Sequence, residues 1–402
     1  MRVLIIGGTL FIGKHLTRRL LEAGHEVTIL HRKAEHPFGH RVRNLVADRN
    51  DAAAVRRATA DQRFDAVFDI AYDWERGTTP EQVEATAKAI PGDLSRYIFM
   101  SSVAAYGEGL NHAEDDALAP DTHPNDYVRN KAGSERALFR MYNESGFPAV
   151  ALRPPFVYGA ENPFYREAFF WDRIRLDRPV IVPDNGDRLM QFEYVYDLVE
   201  VCLRALENPA GPGRAFNAAH ETPLTQVEVV NEFAKTLGKQ ASIVRVPREI
   251  ILRNGGNVFR DPLYFGQYFD LPPITEAVSR VKRELNVTQT PFASGLEETY
   301  VWYAEHGPQR NLDFSFEDQL IRQAQLATDD RPLSLGGLCS RGGQCRCGAC
   351  RWFATQPLAY RFLHEAEREH RHYRGCDRAT KPSAQRGSGD VRRVWEQKHA
   401  HN

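Results

Sequence analysis

The chain predicts a doubly wound α/β fold, a parallel sheet flanked by helices on both faces, and three observations carry that expectation. Short apolar runs alternate with amphipathic stretches of helical length through the first 155 residues. A glycine turn, Gly7-Gly8-Thr9, joins the first run directly to the first such stretch. The stretches stop at glycines, Gly24 and Gly146, as helices do. Strands alternating with helices of about 10–15 residues imply βαβ units, and right-handed crossovers then give a doubly wound sheet.

Val3–Ile6 reads as a buried strand, and Phe11–Ala23 as a helix with Leu16, Leu20 and Leu21 on one face. Val27–Leu30 and Leu45–Ala47 are the second and third strands, followed by a helix from about Asp51. Ala66–Ile70 is the fourth strand, and a helix over Glu81–Ile90 stops at Pro91-Gly92. Tyr97–Met100 is the fifth strand, Tyr127–Ser145 a long helix and Ala149–Leu152 the sixth strand. Beyond Arg153-Pro154-Pro155 the pattern loosens. Short strands are expected at Phe192–Tyr196 and Ala215–Asn217, and helices at Leu198–Glu207, Thr225–Leu237 and Ile274–Glu284, with the last near Leu296–Glu305.

Of 402 residues 42% are hydrophobic, enough for a sizeable core, and the net charge of −1 gives no nucleic-acid or membrane bias. No apolar run reaches 18 residues and no signal peptide is evident, so a cytoplasmic location is the default. The charge is uneven. Residues 325–402 hold 14 Lys/Arg and 8 Asp/Glu, a net +6, which leaves −7 on residues 1–324. Five of the six cysteines (Cys339, Cys345, Cys347, Cys350 and Cys376) sit in that tail, and Cys202 stands alone before them. Their spacing is too compact for two separated zinc-ligand pairs, and His112, His123 and His220 show no ligand spacing either, so no metal is expected. The tail reads as a disordered basic extension in which only Ala359–His370 is helix-like.

The turn after the first strand is suited to a pyrophosphate. Backbone N–H groups of the turn and of the following helix point at such a group, and the helix dipole favours negative charge there. Gly7 makes the tight turn and Gly13 lets the helix pack on the strand, with Thr9, Leu10, Phe11 and Ile12 along the path. Leu10 stands where the middle glycine of such a motif belongs. After the second strand come His31-Arg32-Lys33 and no carboxylate. Basic side chains there suit a ribose 2′-phosphate, so NADP is the expected cofactor and NAD the alternative. Asp48, after the third strand, is placed to bond an adenine amino group, and Ala71 follows the fourth strand.

Tyr127 and Lys131 are four apart on one helical face, and Ser102 lies just past the fifth strand at the carboxyl edge of the sheet. A phenol is a poor base at pH 7 unless a neighbouring ammonium lowers its pKa. Lys131 can do so and can bond a nicotinamide ribose, while Ser102 can hold the substrate oxygen that Tyr127 protonates or deprotonates. Trp74, Phe164, Tyr165, Phe169, Phe170 and Trp171 are candidate pocket residues, with core packing at least as good an account.

In family order, GGTLFIG (7–13), FMSSVAAYG (99–107), YVRNK (127–131), LRPPFVYG (152–159), FEYVYDL (192–198), RAFNAA (214–219) and SGLEETYVWY (294–303) resemble the motifs of extended short-chain dehydrogenases/reductases. The chain is thereby similar to the NAD-dependent epimerase/dehydratase family from residue 1 to about 308. The resemblance implies a Rossmann domain over 1–155, a substrate lobe over 156–326 with a return to the sheet at about 190–220, and a tail over 327–402. It implies Ser102, Tyr127 and Lys131 as the catalytic triad, Tyr127 as acid/base, and the backbone at Pro154, Phe156 and Val157 against the nicotinamide. It also implies a sugar-like hydroxyl or keto substrate, and a homodimer through the helices after the fourth and fifth strands. Two departures bear on the substrate. Val103-Ala104 stand where sugar 4,6-dehydratases of the family carry an Asp-Glu pair. Met190 occupies the slot of the diphosphate-binding Arg, with Arg188 displaced from it. Leu10 and MQFEYV resemble a GGT-x-FIG subgroup that includes plastid RNA-binding proteins, so a non-catalytic or RNA-binding protein on the same fold is the second hypothesis. The intact triad and the acidic body count against nucleic acid as a partner.

Overall fold

In a computed structural model the described residues run from 1 to 329, with side chains through 326. The tail cysteines and the stretch Ala359–His370 lie outside the described residues. Seven strands form the central sheet: β1 (Arg2–Ile6), β2 (Glu26–His31), β3 (Arg43–Val46), β4 (Ala66–Asp69), β5 (Arg96–Met100), β6 (Ala149–Arg153) and β7 (Arg214–Asn217). All pair in parallel, in the order β7-β6-β5-β4-β1-β2-β3. The order reverses at β1, so the carboxyl ends of β1 and β4 flank the crevice in which open α/β sheets bind ligands. Val3–Ile6 are fully buried, as a central parallel strand covered on both faces requires.

Six helices matter for the site: α1 (Phe11–Glu22), α2 (Ala52–Thr59), α3 (Pro80–Ala89), α4 (Asp126–Ser145), α5 (Glu167–Arg175) and α6 (Val195–Glu207). Their starts are written locally. Asp51 caps α2, Thr79 and Gln82 form a capping box on α3 with Pro80 in its first turn, and the Asn125 side chain accepts from the Val128 N–H at the head of α4. Gly146, at φ +71°, ends α4 in the left-handed conformation. One apolar layer joins Leu16 and Leu20 of α1 to Leu198 and Cys202 of α6, and the layer on the other face holds Val55, Val83, Leu138 and Met141. A second core gathers Phe169, Phe170, Trp171, Val180–Val182, Phe233 and Leu296.

The structure corrects several element expectations. The strand expected over Phe192–Tyr196 stops at Tyr194, and α6 starts at Val195. That strand pairs with Phe156–Tyr158 instead of the central sheet, so the return to the sheet is made by β7 alone, beside β6. The expected helix Ile274–Glu284 begins as a strand, Ile274–Glu276, pairing with Gly109–His112, and turns helical only at Ser279–Leu285. The Glu276 N–H bonds the Gln191 side-chain oxygen, a partner far away in sequence that local periodicity does not show. A further helix, Ser315–Asp329, buries Leu320 and Ala324 in the second core. No helix among the described residues is long and apolar enough to cross a membrane.

Candidate active site

The crevice is built first by glycines. Gly7 sits at φ +95°, and a Cβ on it would lie 2.9 Å from the Ala71 Cβ, so the ends of β1 and β4 meet there without a side chain between them. A Cβ on Gly13 would lie 2.0 Å from the Gly7 carbonyl oxygen, which is why α1 can start this close to the turn. Leu10 explains its own departure from glycine. It has extended backbone, φ −131° and ψ 138°, a conformation open to any residue, and its side chain is 63% exposed. The head of α1 has no side-chain cap and no acidic residue in its first turn, so its N–H groups and dipole are left for an anion. Thr9 is half-buried, Phe11 is buried and Ile12 packs on the first core, so what the turn offers a ligand is chiefly backbone.

At the far end of the crevice the basic cluster divides. His31 is half-buried, burial lowers its pKa against a hydrogen bond with Asn44, and its Nε2 has no hydrogen-bond partner. Arg32 and Lys33 are exposed. Arg32 lies 3.4 Å from Asp73. Asp48 is joined to the same group through Arg76, whose guanidinium bonds Asp48 at 2.5 Å and Asp73 at 2.6 Å. Arg76 and Asp73 lie in the loop after β4, and the strand pattern gives no signal for them. The fit to a dinucleotide therefore rests on the glycine cradle, the uncapped helix head and two exposed cations.

Ser102, Tyr127 and Lys131 come together at the carboxyl ends of β5 and β6. The Ser102 hydroxyl accepts from the Ala104 N–H at 3.2 Å and lies 3.5 Å from the Pro154 carbonyl oxygen. Pro154 also accepts the Val103 N–H, Phe156 is half-buried and Val157 is buried, which puts this backbone beside Ser102. Lys131 is 4% exposed and donates to the Met100 carbonyl at 2.7 Å, with its ammonium 5.7 Å from the centre of the Tyr127 ring. Burial pulls Lys131 down to about 8, while the Asp69 carboxylate works the other way. Burial also pushes the Tyr127 phenol up to about 12, against a hydrogen bond with Ser102 and the positive charge of Arg166. The lowering of Tyr127 expected from Lys131 does not emerge: desolvation dominates, and the cation that acts on the phenol is Arg166.

A lysine held at about 8 instead of its ordinary value costs stability wherever it is charged. The folded state binds the proton less well than the unfolded state, so the deficit is full below pH 8 and fades as pH rises toward 10.5. Lys131→Met is expected to raise unfolding free energy at pH 7 by roughly 1–3 kcal/mol, once the stranded Met100 carbonyl is allowed for. The gain should shrink between pH 8 and 10.5. Urea titrations at pH 7 and 9.5 check it, and a loss of stability at pH 7 contradicts it.

Of the aromatic candidates, Trp74 and Phe164 reach the site. Trp74 stacks on Tyr127 with centres 5.2 Å apart, and Phe164 meets Trp74 edge-on at 5.9 Å. Tyr72 packs edge-on to Tyr127 at 4.9 Å, and Tyr268 adds a tilted contact to Trp74. Phe169, Phe170 and Trp171 are core residues, at most 1% exposed, and the Tyr165 hydroxyl is spent on Asp172. Sequence reasoning missed the clamp behind the site. Glu135 of α4 and Arg153 of β6, both buried, pair at 2.6 Å, Glu135 also takes the Ser101 hydroxyl, and Arg153 reaches Tyr106 and the Glu114 carbonyl. Arg188 is paired with Asp270 through Nη1, and Met190, 2% exposed in the second core, has no charge to offer a diphosphate. Among the described residues no His, Cys, Asp and Glu cluster could hold a metal ion.

Comparisons with known proteins agree with the fold. The Arabidopsis thaliana chloroplast stem-loop binding protein of 41 kDa b is 28% identical, over 83% of this chain and 84% of its own. A UDP-N-acetyl-alpha-D-glucosaminuronate decarboxylase from Bacillus cytotoxicus is 24% identical, over 76% and 98%. Among solved structures, the UDP-glucuronic acid 4-epimerase of Bacillus cereus superposes with a TM-score of 0.59 at 19% identity, over 76% and 99%. The family model described as the NAD dependent epimerase/dehydratase family matches residues 3–219, more than half of the sequence, and the chain belongs to that family.

Proposed function

We propose that the protein is an NAD(P)-dependent oxidoreductase or epimerase acting on a sugar-like hydroxyl or keto substrate, with Tyr127 moving the hydroxyl proton. The observation that carries this reading is the meeting of Ser102, Tyr127 and Lys131 beside the Gly7–Gly13 cradle at one sheet edge. The backbone of Gly7–Gly13 would hold the pyrophosphate, Asp48, Arg32 and Lys33 the adenosine end, Lys131 the nicotinamide ribose, and Ala71, Pro154, Phe156 and Val157 the remaining surface. The dinucleotide, when bound, supplies a hydride donor or acceptor. Ser102 orients the substrate oxygen. Tyr127 is protonated at neutral pH, so in the reductive direction it donates its proton to that oxygen, and Lys131 stabilises the phenolate left behind. Val103 and Ala104, directly after Ser102, offer no acid or base for a 4,6-elimination, which favours oxidoreduction or epimerisation. A homodimer through α3 and α4 belongs to the same proposal.

Thermal shift tests it. NADP is expected to stabilise the purified protein more than NAD, and Arg32→Ala/Lys33→Ala to bring the NADP shift down to the NAD level. If neither nucleotide shifts the melting temperature, the enzyme reading fails. RNA binding is the competing reading, motivated by the name of the plant relative. Only the +6 charge on residues 325–402 favours it; the −7 charge on residues 1–324 opposes it, because nucleic-acid affinity comes mainly from cationic contacts to phosphate.

A further inference from the structure

Arg166 is a cation without a direct ion pair: the buried carboxylate of Glu167, its neighbour in sequence, acts on it electrostatically but makes no salt bridge with it. Arg166 stands at the head of α5, half-buried, with its guanidinium carbon 4.5 Å from the centre of the Phe164 ring and 5.4 to 5.6 Å from those of Phe156, Tyr268 and Phe269. Its Nε donates to the Gln267 carbonyl at 3.2 Å, and Nη1 makes a long contact of 3.5 Å to the Val157 carbonyl. A guanidinium carries five N–H donors, so most of this one's are uncommitted. Among the described residues no carboxylate lies within ion-pair distance of it. The most buried arginines are treated differently, since Arg153 has Glu135, Arg173 has Glu317 and Arg49 has Asp69, whereas half-buried Arg96 shares the lack of an ion pair but lies at the start of β5, away from the site.

The rings around Arg166 continue to the reacting end of the site. Phe164 contacts Trp74, Trp74 stacks on Tyr127, and Tyr268 touches both Phe164 and Trp74. Tyr268 holds φ +70°, a left-handed conformation that is strained for a bulky residue and tends to persist where a site needs it. Arg166 also acts electrostatically on the Tyr127 phenol. Cation–π packing accounts for the rings, but it leaves most of the in-plane donors of the guanidinium unused.

We propose that Arg166 is a substrate-recognition residue: it takes a single anionic group, a carboxylate or a phosphate monoester, on the substrate whose hydroxyl or carbonyl oxygen lies at Ser102 and Tyr127. The rings of Trp74, Phe164 and Tyr268 cover the apolar face of the same molecule. A planar fork binds carboxylate or phosphate oxygens in pairs, and a desolvated guanidinium gains more from such a partner than an exposed one does. With Arg188 tied to Asp270 and Met190 buried, the charge recognition sits beside the reacting end instead of at a remote diphosphate. The substrate class is thus a small acidic hydroxy or keto compound. This rests on the oxidoreductase reading above.

The test is calorimetric titration of the full-length, cofactor-saturated protein with glucuronate, glucose 6-phosphate, inorganic phosphate and glucose. Wild type is expected to bind at least one of the two acidic sugars tenfold or more tightly than glucose, glucuronate reporting a carboxylate site and glucose 6-phosphate a phosphate site. Tighter binding of inorganic phosphate than of glucose supports the phosphate arm. Arg166→Met should lose the preference, and Arg166→Lys, which keeps the charge without the fork, should retain part of it. Binding of acidic and neutral sugars within twofold, binding of none of them, or a preference that survives in Arg166→Met overturns the proposal. The wild-type comparison stands even where a variant folds poorly. The cofactor thermal shift separates the two failures: its absence in wild type removes the oxidoreductase reading, whereas a normal shift without an anion preference removes only the role of Arg166.

Discussion

Tyr127→Phe is expected to lower turnover by about 10²–10⁴-fold while leaving cofactor-induced stabilisation unchanged. The substitution keeps the ring, and with it the stack on Trp74 at 5.2 Å and the edge contact with Tyr72 at 4.9 Å. What is lost is the hydroxyl. The Ser102 hydroxyl keeps the Ala104 N–H as a partner, so stability should move by no more than about 1 kcal/mol. The pH dependence of wild type follows from the phenol at about 12. Proton donation to a carbonyl should be level across neutral pH, because the phenol is fully protonated there. Proton abstraction from an alcohol should rise about tenfold per pH unit from neutral pH, because the phenolate fraction does. That slope should bend near pH 8, where Lys131 loses its proton and with it the charge that favours the phenolate. Steady-state kinetics on both directions measures this, and turnover within threefold of wild type in Tyr127→Phe would sink the assignment of the proton donor.

The sheet was legible because a parallel strand covered on both faces has to be a largely apolar run, and Val3–Ile6, Ala66–Ile70 and Ala149–Leu152 each read that way. The helix start near Asp51 and the helix end at Gly146 were legible for a similar reason, since both residues act on their own backbone neighbours. Outside the sheet the determinants are distant pairings. Ile274–Glu276 is a strand because Gly109–His112 and Gln191 meet it, and nothing within its own window says so. Phe169, Phe170 and Trp171 read as a pocket wall or a core with equal ease, and only the packing of α5 against Phe233 and Tyr303 decides. At the site, Ser102, Tyr127 and Lys131 stood out by residue type and spacing. Arg166, Tyr268 and the clamp from Glu135 to Arg153 did not, because each acquires its meaning from a partner brought up by the fold. The electrostatics were the least legible part. A Tyr-x-x-x-Lys pair says that an ammonium is near a phenol, but burial sets the balance, and burial is a property of the whole sheet edge.

Glu135→Gln is expected to destabilise the protein by about 3–5 kcal/mol, because it leaves the Arg153 guanidinium buried without its counter-charge. Glu135 is fully buried and Arg153 is 2% exposed, and they share three contacts of 2.6–3.1 Å. Glu114 and Glu276 lie near enough to act on Arg153 electrostatically, so part of the loss is recoverable and the lower end of the range is the better expectation. The pair also has a positioning role. Glu135 lies one turn beyond Lys131 on α4, takes the hydroxyl of Ser101 next to Ser102, and holds the end of β6, so it ties the helix carrying Tyr127 to both strands of the site. Removing both charges at once, Glu135→Leu with Arg153→Met, should recover most of the stability, since matched apolar groups need no counter-ion. It should not recover turnover, because Ser101 and Tyr106 then lose the partners that fix the end of β5 against α4. Chemical denaturation of the two variants gives the first comparison and kinetics under folding conditions the second. If the double variant is as unstable as Glu135→Gln, the clamp acts through packing and not through its charges. If it is both stable and fully active, Glu135 and Arg153 have no part in positioning Ser102 and Tyr127.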